Sequence, residues 1–437
     1  MDCVVFLPGT MGSVLSTPDG EVVWPPTVAE AQFGYTRKAK LLRPDLVVSD
    51  IVRSVACFGV YQPLVDQLND AGFPEAGPGN SGGGNRLNIL AYDWRLDLER
   101  LSNQLANSLD AIAKTGVQSI TIVAHSMGGL IARLALESGK HDGEAWFPKV
   151  KSFISVGTPH LGAPLALARI LGMDSSLGIS GPDFREIASD RRYPSGYQLL
   201  PPPGEGICWD IASLTLQPMN IYDPAVAAKL GLDPVLLARA KFVHDTLRAG
   251  KAPAHTRYFY FAGTGHKTAT RINVGSTGRQ ITLSDDAGDG TVPLWSALPV
   301  TGQKQLVVGE HAKFFTQSTF KAVFFRLLGK TFSQPPIGLA GTALDLSVQS
   351  PIILKSHEVE LLLISAAPVP EIKGEVTIER TEDPAKPWVT FRAPAPVVYT
   401  GPPLSHLRLL LPATGQTGLF RLSFGGADPV MFAASET

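Results

Sequence analysis

Ala124-His125-Ser126-Met127-Gly128-Gly129 lies directly between a β-rich run, Ser119–Ala124, and a segment whose Leu130, Ile131 and Leu134 recur at helical spacing. A serine held in a sharp strand-to-helix turn stands alone at a helix N-terminus, and the positions flanking it must be small. Ala124 and Gly128 meet that requirement in an A-x-S-x-G arrangement. A serine hydroxyl is a weak nucleophile at neutral pH and needs a base, which a carboxylate must orient. After such a turn the acid and then the histidine are expected further along the chain. Asp289 fits as the acid, in the glycine-flanked turn Gly288-Asp289-Gly290-Thr291-Val292-Pro293, with Asp285 and Asp286 as rivals. His311 fits as the base, at the end of the strand-like run Gln305–Gly309. Of the nine histidines, His160 and His266 also lie near strand ends, and His125 is expected to point away from the serine.

Two backbone amides are needed to hold an oxyanion. Met127 offers one at the helix start. The loop Pro8-Gly9-Thr10-Met11-Gly12-Ser13 offers the other, Thr10 first and Met11 second. Phosphate-binding and calcium-loop readings fail on spacing. Gly263-Thr264-Gly265-His266-Lys267-Thr268 lacks the glycine before its lysine, and Asp285–Asp289 lacks the alternation of calcium ligands. The chemistry expected here calls for no metal and no cofactor.

The elements that must position these groups alternate. Cys3–Leu7, Leu87–Tyr92, Ser119–Ala124, Val150–Val156 and Tyr258–Ala262 read as strands. Leu98, Leu101, Leu105, Leu109 and Ile112 mark an amphipathic helix stopped by Gly116, and Ala312–Leu328 reads as a closing helix. Strand and helix in alternation predict an α/β class with a mostly parallel sheet covered on both faces. From about 164 to 255 the pattern breaks into short helical pieces such as Pro234–Arg248, which predicts an inserted cap rather than one long loop. Beyond the linker-like Ser333-Gln334-Pro335-Pro336, period-two runs separated by Pro and Gly predict a small β-sandwich. The expected division is a catalytic domain over 1–332 and an all-β sandwich-like domain over 337–437.

Composition narrows the partners. Lys plus Arg number 38 against 39 Asp plus Glu, so no basic excess exists to bind nucleic acid. Cys3, Cys57 and Cys208 match no zinc motif and read as buried thiols. The start has an acid where an export signal needs positive charge, and no run approaches 18 apolar residues. No transmembrane segment is expected, and cytoplasmic residence is the default expectation.

Taken together, Leu7–Ser13, Tyr92-Asp93-Trp94-Arg95, Ala124–Gly129, Gly157-Thr158-Pro159-His160-Leu161-Gly162, Gly288–Pro293 and His311 resemble the lecithin:cholesterol acyltransferase-like branch of the α/β-hydrolases. That branch also holds phospholipid:diacylglycerol acyltransferases and lysosomal phospholipases. The resemblance covers about residues 1–330 and implies an α/β-hydrolase fold. It implies a Ser126–Asp289–His311 triad, an oxyanion hole at Thr10 and Met127, and lipid or other hydrophobic esters entering beneath a cap. Tyr197–Pro201 is similar to a cap segment of the family, whereas Thr10 stands where members often carry Asp or Asn. The expected activity is ester hydrolysis through an acyl-enzyme, possible at a membrane surface. Acyl transfer to an alcohol is the alternative, and a non-catalytic binding module on the same scaffold is the third. The C-terminal domain lies outside the resemblance; targeting to a surface or partner and plain stabilisation are its two expected roles.

Overall fold

Six β-rich runs pair side by side, all parallel, in the order Gln303–Val308, Arg257–Thr264, Val150–Val156, Ser119–His125, Asp2–Leu7 and Arg86–Ile89. The computed structural model describes residues 1–55, 58–76, 84–212, 216–299, 301–331 and 344–436. Cys57 and the expected linker Ser333–Pro336 lie outside these residues. The winding of the sheet reverses between its first and third strands in chain order, Asp2–Leu7 and Ser119–His125. Open α/β sheets bind ligands beyond the carboxyl ends of their strands at such a reversal.

Both faces of the sheet are covered, which is why its strands read as unbroken apolar runs. Val5, Leu7, Ile120, Ile122 and Ala124 pack with helices Leu98–Ala113 and Met127–Glu137. Val4, Phe6, Val123, Ile154 and Phe261 pack on the other face with Gln62–Asp70 and Ser318–Leu327. The expected closing helix is shorter than its pattern: Phe314–Thr316 forms a 3-10 turn, and the helix begins at Ser318.

Between Val156 and Arg257 three of the described helices start at prolines, Pro164, Pro224 and Pro234, where the missing N–H has no helical partner to lose. Asp223 and Asp233 cap two of them. Leu167, Tyr197, Leu230 and Leu236 form an apolar cluster of their own with Ile272. Ile272 belongs to a hairpin, His266–Val274 and Arg279–Gly288, that pairs with Cys208–Asp210 and Gln217–Pro218 in a second sheet. The sequence pattern marks only Ile281–Leu283 of this hairpin, because Lys267-Thr268-Ala269-Thr270-Arg271 lacks apolar alternation.

The C-terminal strands form one sheet that curls on itself. Val359–Thr381 and Val389–Leu411 are each 23 residues long, and register shifts interrupt their pairing. Such bulges bend a strand and strengthen its twist. Val359–Thr381 pairs with Leu344–Val348 along its first half and with Gly418–Phe424 along its second. Leu361, Leu363, Val376, Phe420 and Phe432 fill the sandwich-like interior. Period-two runs such as Val359–Ile364 and Val376–Ile378, with Pro368, Pro370 and Gly374 between them, thus belong to one strand.

Arg95 is 1% exposed, and its guanidinium forks onto Asp93 at 2.8 and 2.7 Å. It also donates to the carbonyls of Leu41 and Arg43 and lies over the Tyr193 ring. Removing one partner of a buried pair strands the other charge. Arg95→Met is therefore expected to lower the stability measured by urea denaturation by about 3–5 kcal/mol. A loss below about 1 kcal/mol would put this pair with solvent-exposed ones.

Candidate active site

Ser126 joins strand Ser119–His125 to helix Met127–Glu137 with φ 52° and ψ −127°, a left-handed turn that few residues other than glycine adopt. The turn sits against the end of the first strand. A Cβ on Gly128 would lie 2.4 Å from the Pro8 carbonyl oxygen, so the position admits only glycine. The Ser126 N–H donates to the Val156 carbonyl at 2.9 Å, tying the turn to the next strand.

Asp289 and His311 converge on this serine. Ser126 Oγ is 3.0 Å from His311 Nε2, and His311 Nδ1 is 2.8 Å from Asp289 Oδ2. The carboxylate can only accept, so Nδ1 carries the proton and Nε2 is free to accept from the serine hydroxyl. Asp289 is fully buried, and its Oδ1 accepts from the Thr291 and Val292 amides at 3.0 and 2.7 Å. The His311 N–H also donates to the Asp289 carbonyl at 2.9 Å. Burial alone would lower the imidazole pKa, but the adjacent Asp289 outweighs it and the pKa is raised.

The rival groups are engaged elsewhere. Asp285 and Asp286 pair with Arg408 of the C-terminal sheet at 3.0 and 2.7 Å. His266 lies between Ser347 and Gln349. His160 is 3.1 Å from Ser155 Oγ, but its other nitrogen faces the Arg133 guanidinium at 3.3 Å. Burial, and then that positive charge, push its pKa well down, so this pair lacks the carboxylate that would support an imidazolium.

Thr10 and Met127 come together at the serine. Thr10 Oγ1 is 3.2 Å from Met127 Sδ, and neither backbone N–H has an acceptor among the described residues. Met11, the alternative donor, sits at φ 62° with its carbonyl accepting from the Trp24 indole at 2.6 Å.

His125 does not face the serine, as its position suggests, but its ring has a structural partner on each side. Nε2 is 3.0 Å from the His311 carbonyl oxygen and Nδ1 is 2.8 Å from the Tyr61 hydroxyl. A carbonyl can only accept, so Nε2 carries the proton and Nδ1 accepts from Tyr61. The Tyr61 oxygen in turn accepts from the Gly9 N–H at 2.8 Å. Burial, and secondarily the His311 charge, hold His125 neutral. A chain of hydrogen bonds thus joins the Gly9 loop, the serine turn and the His311 loop. Only the place of His125 beside the serine hints at it in sequence, and nothing marks Tyr61.

Around these groups lies a cavity of about 1270 Å³, above the roughly 300–1,000 Å³ usual for small-molecule pockets. Trp24, Val28, Tyr35, Leu165, Ile179 and Phe184 are among the residues that line it. Among the described residues no helix is long and apolar enough to cross a membrane, and no group of three or more His, Cys, Asp or Glu is placed to hold a metal ion. Cys3 and Cys208 are buried free thiols, and burial raises both pKa values, that of Cys208 to about 11.

Residues 59–228 match the family model described as Lecithin:cholesterol acyltransferase. That span includes Tyr92–Arg95, the serine turn and Gly157–Gly162, and it ends before Asp289 and His311. An uncharacterized protein of Saccharomyces cerevisiae is 26% identical over 249 residues, which are 53% of this chain and 34% of the relative. The chain therefore spans about a third of the length of that curated relative. One chain in the crystal structure of a Tle4–Tli4 complex is similar at a TM-score of 0.53 and 14% identity, covering 75% of this chain and 98% of its own. Phospholipase PlaB from Legionella pneumophila is similar at a TM-score of 0.32 and 10% identity, covering 100% and 91%. The α/β-hydrolase fold and the resemblance to lecithin:cholesterol acyltransferase-like proteins expected from the motifs both hold.

Replacing Tyr61 with Phe leaves the buried Gly9 N–H without its acceptor. Tyr61→Phe is expected to destabilise the fold by about 1–3 kcal/mol in chemical denaturation, the cost of a stranded buried donor. Unchanged stability would mean that another group accepts from Gly9.

Proposed function

We propose that this chain is a serine-dependent ester hydrolase acting on a lipid or other hydrophobic ester through an acyl-enzyme. The observation that carries the proposal is the hydrogen-bonded series Ser126 Oγ, His311 Nε2, His311 Nδ1, Asp289 Oδ2, with Ser126 and His311 lining a large, mainly apolar cavity. The family match supports a lipid-ester chemistry in coarser terms. We further propose a catalytic unit over 1–332 with its cap at 164–255, and a C-terminal unit over 337–437. The separate apolar clusters of the cap and of the C-terminal sheet support that division.

In this mechanism His311 Nε2 takes the proton as Ser126 Oγ bonds to the ester carbonyl carbon. Asp289 holds the ring and stabilises its charged form. The carbonyl oxygen gains the negative charge and is held by the Thr10 and Met127 amides, each worth about 2.7–4 kcal/mol. The tetrahedral intermediate collapses, the alcohol leaves with the proton from Nε2, and the acyl group stays on Ser126. Water then attacks the acyl-enzyme by the same steps, releasing the acid. The match to an acyltransferase family favours one second reading, in which an alcohol takes the place of that water. Adding graded alcohols to the assay distinguishes them: an ester product dominating at low alcohol concentration identifies transfer.

Labelling with a fluorophosphonate and peptide mapping tests the nucleophile. Modification is expected at Ser126 and is expected to fall away in His311→Ala; a label on another serine overturns the assignment. The base has a pH signature as well. Only neutral imidazole accepts a proton, and its folded pKa is raised, so kcat/KM is expected to climb with pH at a midpoint above about 6.5. Asp289→Asn removes the raising charge, so that midpoint should move down while kcat falls by about 10⁴. A midpoint that stays put in the variant rules out Asp289 as the partner of the base.

A further inference from the structure

We infer that the C-terminal sheet is a wall of the substrate cavity and supplies a subsite for the hydrocarbon chain of the ester, an inference that rests on the proposed ester chemistry. Ile352, Ile353, Leu419 and Ala433 of that sheet line the same cavity as Ser126 and His311. Ala269 and Ile281 of the hairpin line it too. Polar residues such as Gln349 and Glu360 also line it, but Lys267 engages both, so the group that the aliphatic side chains accommodate is apolar. Burial of each methylene is worth about 0.8 kcal/mol, enough to discriminate between chain lengths.

The sheet is seated on the catalytic unit along two seams, which fixes its place in the wall. At the first, Ser347 Oγ accepts from the Glu310 N–H at 3.3 Å and lies 3.0 Å from His266 Nε2. The Gln349 amide clasps the backbone of Lys267, accepting at 3.0 Å and donating at 2.8 Å. Arg408 reaches Asp285, Asp286 and the Gly265 carbonyl, while Lys267 pairs with Glu360. His266 and Ser347 are buried in this seam. Burying so many polar groups is tolerable only where their partners are held in register, which a loosely tethered appendage does not do.

The second seam joins the sheet to helix Val28–Phe33. Leu419, Ala433 and Ile352 pack with Val28 of helix Val28–Phe33, and the Glu436 N–H donates to the Gln32 carbonyl at 3.4 Å. That helix itself lines the cavity through Val28, Ala31 and Gln32. Between a polar seam beside His311 and an apolar seam at Val28, the sheet spans the cavity. A domain serving only to stabilise or to target would cover surface away from the reacting serine. This one faces it.

The test is filling the subsite from both seams in the full-length chain. Ile352→Trp and, separately, Val28→Trp are assayed on p-nitrophenyl palmitate and p-nitrophenyl acetate, with thermal melts to establish folding. The ratio of kcat/KM for palmitate to that for acetate is expected to fall about tenfold or more in each. Ile352→Val should restore the wild-type ratio. An unchanged ratio in folded variants overturns the inference. Calorimetric titration of palmitate into the Ser126→Ala chain, with and without Ile352→Trp, reads the subsite without turnover. Binding that weakens with the tryptophan supports it, and equal binding or none overturns it. Wild-type inactivity on every ester together with tryptophan-sensitive palmitate binding would instead overturn the proposed chemistry and leave the subsite standing.

Discussion

The approach of two backbones sets the frame for everything else at this site. Strands Asp2–Leu7 and Ser119–His125 are hydrogen-bonded neighbours with Leu7 opposite Ala124, so the loops that follow leave the sheet at one level. Gly128 lets the serine turn close on the carbonyl of Pro8, and a Cβ on Gly9 would lie 2.7 Å from that of Ser126. Thr10 and Met127 meet because these glycines remove the atoms that would part them. The same economy recurs across the sheet. Strands Arg257–Thr264 and Gln303–Val308 pair with Thr264 opposite Val308, and a Cβ on Gly263 would lie 2.5 Å from that of Asp289. His311 follows Gln303–Val308, whereas Asp289 follows the hairpin strand Arg279–Gly288 of the second sheet, and Gly263 is where the parallel sheet lets it pack close.

Two pairs of strand ends still have to be held at a fixed distance from each other. Strand pairing does this only through the intervening strand Val150–Val156, and the loops beyond it need links of their own. The Gly9–Tyr61–His125–His311 series provides one, crossing from the first strand's loop to the histidine's carbonyl. It works because His125 is neutral: a charged ring would have to donate from both nitrogens, and would repel a charged His311. Burial decides that state, since desolvation pushes the His125 pKa well down. A second link comes from outside the sheet, where Ser347 holds the Glu310 amide one residue from the base.

How much of this was legible in the sequence follows from which interactions are local. The serine turn, the parallel strands and helix Leu98–Ala113 are written in short-range terms: small residues at fixed offsets, unbroken apolar runs, a repeat of three and four. Asp289 and His311 were legible through chain order and glycine-flanked turns. Chain order already prefers His311 over His160 and His266, which precede Asp289, and the contacts add what spacing does not encode, the Arg133 charge beside His160 above all. Tyr61 carries no motif and was invisible, since its role depends on a hydroxyl reaching two loops far away in sequence. The hairpin His266–Val274 was missed for a different reason. It is stabilised by pairing with Arg279–Gly288 and by the cap, so its own residues need little apolar pattern. The length of strand Val359–Thr381 is not legible because it changes partner partway along and its pairing is interrupted by register shifts.

Two carboxylic acids flank one imidazole, and their surroundings separate their parts. Asp289 accepts from the Thr291 and Val292 amides and from the ring, so its lone pairs are met by donors even though it is fully buried. Glu310, next to the histidine in sequence, is buried too, yet its Oε2 has no hydrogen-bond partner among the described residues. Burial raises the Glu310 pKa against the opposing charges of Lys313 and His311. Desolvation drives Glu310 toward its neutral form, and the Ala312 amide is among the groups that oppose it. Were both ionised, the imidazolium would face two anions and release its proton less readily to a leaving alcohol. In the proposed mechanism the carboxyl that orients His311 is the one whose Oδ2 lies 2.8 Å from Nδ1 and whose Oδ1 is held by two backbone amides.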